Sequence, residues 1–107
     1  MRLSVREIVL TRIDFHQSAG GKVRPAVVLL DTGDDDFVAA PVTSLPRVSE
    51  FDIAIHHLQD SGLNVPSWVR LHKLTVLPKD AVVRRLGFVT QPEREGLSAV
   101  LRRTFLF

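Results

Sequence analysis

Arg24 stands at the head of an apolar run, Ala26 to Leu30, behind Gly20, Gly21 and Lys22 and just before Pro25. A guanidinium at the mouth of a rigid strand, beside backbone that a ligand can approach closely, suits a phosphate. A plain turn with a surface ion pair accounts for the same residues, and no nucleotide-binding fingerprint is present, because a spaced Gly-Lys-Ser/Thr and a following helix are both missing. Thr43 and Ser44 put two hydroxyls at the end of the stretch Ala40-Pro41-Val42, where they can donate to a phosphoryl oxygen or cap the next turn. In Ser67 to Leu74, period-two geometry sends Trp68, Arg70 and His72 to one side and Val69 and Leu71 to the other. A cation and a titratable imidazole then stand side by side, with Lys73 next to them. Trp68 can stack on a base, although packing against the core is the commoner use of such a residue.

These groups need strands to hold them. Glu7 to Phe15 alternates loosely and reads as a first strand, followed by a loop from His16 to Lys22. Val23 to Asp31 is too short for a good helix and too continuously apolar for a half-exposed strand, so it reads as a strand buried on both faces. Asp31 to Asp36 turns the chain into a third strand, Phe37 to Ser44, which makes an antiparallel hairpin. Phe51 to Ile55 reads as a short strand and His56 to Ser61 as a polar or helical turn that Gly62 ends. Ser67 to Leu74 and Ala81 to Phe88 are further strands. Thr90-Gln91-Pro92-Glu93 is a capping-box start, and Leu97, Val100, Leu101 and Phe105 form one helical stripe. The expected architecture is mainly β with α: a small barrel of five to seven short, mostly antiparallel strands with a C-terminal helix. Parallel strands would need crossover helices that the chain lacks.

The 107 residues form one expected domain, 1–107, and 45% hydrophobic against 24% charged residues argues against disorder. Cysteine is absent, which removes disulfides, thiolate nucleophiles and zinc-thiolate sites. Arg2, Arg6 and Glu7 interrupt the N-terminal apolar residues, and the longest apolar run has five residues, so a cytoplasmic protein without a membrane span is expected. The sequence pI of 9.7 overstates a formal charge of only +2. Charge is instead unevenly spread, a net −3 over residues 1–60 and +5 over residues 61–107, enough to steer a polyanion to one side. His56 and His57, being adjacent, read as surface residues, and Asp34 to Asp36 lacks the spacing of a calcium loop.

Taken in order, Glu7-Ile8-Val9-Leu10, Gly21-Lys22-Val23-Arg24-Pro25, Ala40-Pro41-Val42-Thr43-Ser44, Gly62-Leu63 with Pro66 to Leu74, and Leu86-Gly87 before a helix resemble the MazF/PemK family of toxins from bacterial toxin-antitoxin pairs. The resemblance implies an SH3-like barrel, a homodimer, and metal-independent, sequence-specific cleavage of single-stranded RNA without a cofactor. It also implies a cognate antitoxin that blocks the RNA groove. The family's functional arginine before proline falls on Arg24, its threonine on Thr43 and its later arginine on Arg70. His72 stands where the family often has aspartate and is the expected base or acid, with His16 in the complementary role. RNA contacts are expected from His16, Gly21, Lys22, Ser44, Trp68 and Lys73. Two departures have a place in the chain: Arg6 replaces a common glycine, and His16-Gln17-Ser18-Ala19 replaces Gly-x-Glu-Gln. The competing class is a non-catalytic barrel that binds protein or nucleic acid, or a topoisomerase poison of the related CcdB type.

Overall fold

The apolar run at the centre of the chain serves two cores at once. In the computed structural model, which describes residues 1–13 and 22–106, Ala26, Val27 and Val28 are all fully buried in β2 (Lys22–Leu30). Val27 faces a cluster that includes Ile8, Val42, Ile55, Val69 and Leu97, whereas Ala26 and Val28 face Leu3, Val9, Phe37, Ala39 and Leu77. Alternate residues of β1 (Glu7–Ile13) and β3 (Asp36–Thr43) divide in the same way, Ile8 against Val9 and Ala40 against Ala39. Three adjacent strands covered on both sides explain why this stretch lacks the apolar-polar alternation of a one-sided sheet.

Every ladder is antiparallel. β4 (Asp52–Ile55), β5 (Ser67–Arg70), β3, β2, β1 and β7 (Val82–Phe88) follow in that order, and β6 (Thr75–Pro78) joins β3. The same edge of β3 serves two partners, with Asp36 to Ala39 on β6 and Val42 and Thr43 on β5. The sheet bends at that point. Among the described residues no ladder joins β4 to β7, so the barrel is open. The short helix α1 (Leu58–Ser61), which follows β4, packs on β7. Two glycines permit this contact. A Cβ on Gly62 would fall on the Leu86 carbonyl and one on Gly87 would fall on the Asp60 carbonyl, and Gly62 also takes φ +74° as it ends α1.

Ser67 to Leu74 is not one strand, as its alternation suggests. β5 stops at Arg70, Leu71 to Lys73 form a single 3-10 turn, and β6 starts at Thr75. Leu71 is fully buried, and the turn seats it in the core beneath α2 (Gln91–Thr104). β6 itself escapes sequence reading because only Leu77 of its four residues is buried. The helix begins as its capping box predicts: the Glu93 carboxylate accepts from the Thr90 N–H and O–H, and also from the His56 N–H at the exit of β4. At the other end of the molecule, the Asp31 carboxylate ties three segments together, accepting from Leu3 N, Gly33 N and Lys79 Nζ, each at 2.8 Å. Arg6 holds a left-handed φ of +77°, a conformation that glycine adopts without strain. Among the described residues no helix is long and apolar enough to cross a membrane.

Candidate active site

Arg24 sits near the start of β2, opposite Thr11 of β1, and is half-buried. Thr11 is itself buried and donates to the Ala81 carbonyl at 3.1 Å, so the Arg24 backbone rests on a fixed wall. The guanidinium Nε is buried and, among the described residues, has no hydrogen-bond partner. Arg24 also borders, through its place in β2, a cleft of about 300 Å3 lined by Leu10, Pro25, Ser44, Asn64 and Arg84, although its register row with Thr11 alternates to the opposite face from the row of Leu10 and Pro25. Among the described residues no carboxylate lines it. A desolvated guanidinium donor without a partner favours an anion.

Arg70 differs in its surroundings. Its Nε donates to Asp52 Oδ1 at 3.0 Å across the β4–β5 ladder, where the two residues are register partners. The Asp52 carboxylate is almost sealed, with 1% of its side chain exposed against 24% for Arg70. Burial pushes the Asp52 carboxyl up, but the Ser49 hydroxyl and the Arg70 guanidinium outweigh it, and the group lies below the ordinary carboxylate value. Arg70 Nη2 lies 3.4 Å from His72 Nε2, so the 3-10 turn still brings the cation and imidazole together, though not by strand alternation. The His72 ring leans on Phe51, with centroids 5.1 Å apart. Burial first, and then the Arg70 cation, hold the imidazole below the ordinary histidine value, with Asp52 pulling weakly the other way. His72 is therefore neutral at pH 7. His72 and Lys73 line a separate, larger groove of about 880 Å3 with Arg12, Pro41, Thr75 and Asp80.

β3 connects the two openings. Pro41 lines the groove, Ser44 lines the cleft, and Thr43 lies between them in the chain. Ala26 pairs with Pro41, and the same register continued by two residues brings Thr43 opposite Arg24; on its other edge Thr43 pairs with Trp68. Cross-strand partners share a face, so Arg24, Thr43 and Trp68 form one row and Pro41, Arg70 and Asp52 the next. Arg24, Thr43, Trp68, Pro41 and Arg70 are partly exposed, whereas the Asp52 side chain is sealed against Arg70. Thr43 does not line the Arg24 cleft itself. Its Oγ1 accepts from Leu45 N at 3.2 Å, the turn-capping role, which leaves its own proton free to donate.

Lys22 is exposed at the start of β2, whereas His16 and Gly21 lie outside the described residues. His56 and His57 are exposed as expected, His57 resting its Nδ1 3.1 Å from Glu93. Sequence reasoning missed Asp52, which reaches its place through ladder register, for which the local sequence carries no signal.

No curated protein matches the chain. Solved structures do share its fold. Mycobacterium tuberculosis toxin MazF-mt6 superposes with a TM-score of 0.77 at 21% identity, covering 94% of this chain and 96% of that one. MazF from Deinococcus radiodurans gives 0.71 at 20% identity, with 97% and 96% covered. An endoribonuclease in complex with its cognate antitoxin, from a mycobacterial species, gives 0.72 at 17% identity, with 92% and 89% covered. A model of the PemK-like, MazF-like toxin of type II toxin-antitoxin systems matches residues 4–105, nearly the whole described fold, and the chain belongs to that family.

Proposed function

We propose that the chain is an endoribonuclease toxin that cuts single-stranded RNA at specific sequences in the cytoplasm without a metal ion. The observation that carries this reading is the Arg24 guanidinium, whose buried Nε has no partner among the described residues and whose register row includes Thr43. RNA brings its own nucleophile, the 2′-hydroxyl beside each phosphate, so the protein need supply only alignment, proton transfer and charge stabilisation.

In the proposed reaction the 2′-oxygen attacks phosphorus and its proton passes to neutral His72. The phosphorus–O5′ bond breaks, and the leaving oxygen takes a proton from the general acid, for which His16 is the sequence candidate. The products are a 2′,3′-cyclic phosphate and a 5′-hydroxyl. Arg24 stabilises the charge that builds on the non-bridging oxygens, and Thr43 donates to one of them. Sheet spacings put the Arg24 and Arg70 backbones two strands and two residues apart, about 12 Å. A phosphate above Thr43 is then within reach of the Arg24 side chain from one side and of the Arg70–His72 pair from the other. Trp68, beside Thr43, offers a stacking face for a neighbouring base, and Lys22, Ser44, Lys73 and the Gly21 backbone are the further RNA contacts.

A cognate antitoxin is the natural protein partner, since a structural neighbour is an endoribonuclease in complex with one. Homodimerisation is supported by apolar residues that need covering, among them Phe105, 42% exposed, and Leu106, 82% exposed. Incubating the purified protein with mixed-sequence RNA in chelator tests the proposal. Discrete fragments bearing cyclic phosphate and 5′-hydroxyl ends are expected, and a 2′-deoxy sugar at a mapped site should prevent cutting there. Cutting that persists at the 2′-deoxy site, or RNA left intact, would overturn it.

A further inference from the structure

We propose that Arg70 fixes neutral His72 as its Nδ1–H tautomer and so makes Nε2 the nitrogen that takes the 2′-hydroxyl proton. The inference rests on the nuclease reading of this site. A guanidinium nitrogen only donates, so the imidazole nitrogen that faces it must accept. Arg70 Nη2 lies 3.4 Å from His72 Nε2, which places the lone pair on Nε2 and the proton on Nδ1. Both partners are held from elsewhere in the fold. Asp52 accepts from Arg70 Nε at 3.0 Å and from the Ser49 hydroxyl at 2.5 Å, which anchors the guanidinium. Phe51 packs on the imidazole with centroids 5.1 Å apart, and its carbonyl accepts from Leu71 N at 3.1 Å, which anchors the turn that carries His72.

The two ring nitrogens then have different work. Nδ1 is buried and, among the described residues, has no partner, so the part of His72 that lines the groove with Pro41 and Lys73 does not include it. Nε2 is left as the nitrogen within reach of a substrate. Its contact with Arg70 is longer than the one Asp52 makes with the same guanidinium, so an arriving hydroxyl displaces it while Asp52 keeps Arg70 in place. Nε2 takes the 2′-proton as the bond from the 2′-oxygen to phosphorus forms and the phosphorus–O5′ bond breaks. The imidazolium that results faces the Arg70 cation and releases that proton to water. Without Arg70 the ring would take the other tautomer, because a buried N–H without a partner costs more than a buried lone pair. With Arg70 present, a proton on Nε2 would set two donors against each other, one of them charged, and that is the costlier arrangement.

The test uses the whole chain, with its histidines labelled with the heavy nitrogen isotope, in mildly alkaline buffer where the ring is neutral. Long-range proton–nitrogen correlation spectra tell the nitrogens apart, because Nε2 couples strongly to both ring C–H protons and Nδ1 to one. An unprotonated nitrogen resonates far downfield of a protonated one, and the His72 signals are those lost in His72→Gln. In the wild type Nε2 should be the downfield nitrogen, against the preference of free histidine for Nε2–H. Arg70→Met, combined with Asp52→Asn so that no sealed carboxylate is left unpaired, should return His72 to the Nε2–H form, whereas Asp52→Asn alone should keep Nδ1–H. Nε2–H in the wild type, or Nδ1–H that persists without Arg70, overturns the assignment and leaves the nuclease reading standing. The expected tautomers in a protein that never cuts RNA would overturn the nuclease reading and leave the tautomer assignment standing.

Discussion

Arg24 and Arg70 carry the same guanidinium on one face of one sheet, yet the chain surrounds them in opposite ways. Arg70 finds a sealed carboxylate, Asp52, at 3.0 Å, and together they hold β4 on β5 and set the position of His72. Arg24 has a buried Nε that, among the described residues, finds no partner. A cation whose charge is answered inside the fold contributes to architecture; one left unanswered carries a desolvation cost that an arriving anion offsets. On the proposed reading, identical side chains are thus given different work by their neighbours, one as a positioning residue and one as the group that meets the substrate.

This contrast predicts different losses. Arg24→Ala should slow single-turnover RNA cleavage by about 10² to 10³-fold, the effect of removing one oriented donor, while its thermal midpoint stays at the wild-type value. Asp52→Ala should instead cost about 2 kcal/mol of stability, because it leaves Arg70 half-buried and unpaired. Calorimetry should then record a midpoint lower by roughly 10 °C. If the two variants exchanged these signatures, the contrast would be reversed.

His72 sharpens the comparison through pH. Burial and the Arg70 cation favour its neutral form, so the acid limb of the kcat/KM profile should fall below the 6.5 of an ordinary histidine. Asp52 opposes that shift, and Asp52→Asn should therefore move the limb lower still. The same group should affect stability: with its folded value depressed, its contribution is complete above 6.5 and is lost as pH falls through the folded value. A limb at or above 6.5 would remove His72 from the base role. Arg6→Gly, remote from both arginines in function, provides the smallest effect. Relief of a left-handed φ of +77° should raise stability by about 1 kcal/mol and leave cleavage unchanged, which denaturant unfolding and a cleavage assay would check.

Sequence patterns revealed features set by local chemistry. The run Ala26 to Leu30 foretells a strand covered on both sides, Thr90 with Glu93 foretells the start of α2, and Gly62 foretells the end of α1. Features set by distant parts of the chain were not legible. β6 buries one residue in four and so shows no period. Leu71 turns into the core through a 3-10 step that interrupts an otherwise convincing alternation. The site divides along the same line. Arg24, Thr43, Arg70 and His72 stand in recognisable local contexts, but the Asp52 carboxylate that answers Arg70 arrives by ladder register across a gap of 18 residues.

The most direct test of the contact between Arg24 and the scissile phosphate is a thio-substitution cycle. One non-bridging oxygen at a mapped cut site is replaced by sulfur, and cleavage of both substrates is timed with wild type and with Arg24→Ala. The account predicts a clear slowing by sulfur in the wild type that disappears in Arg24→Ala, because the group that senses that oxygen is gone. Equal slowing in both proteins would contradict it.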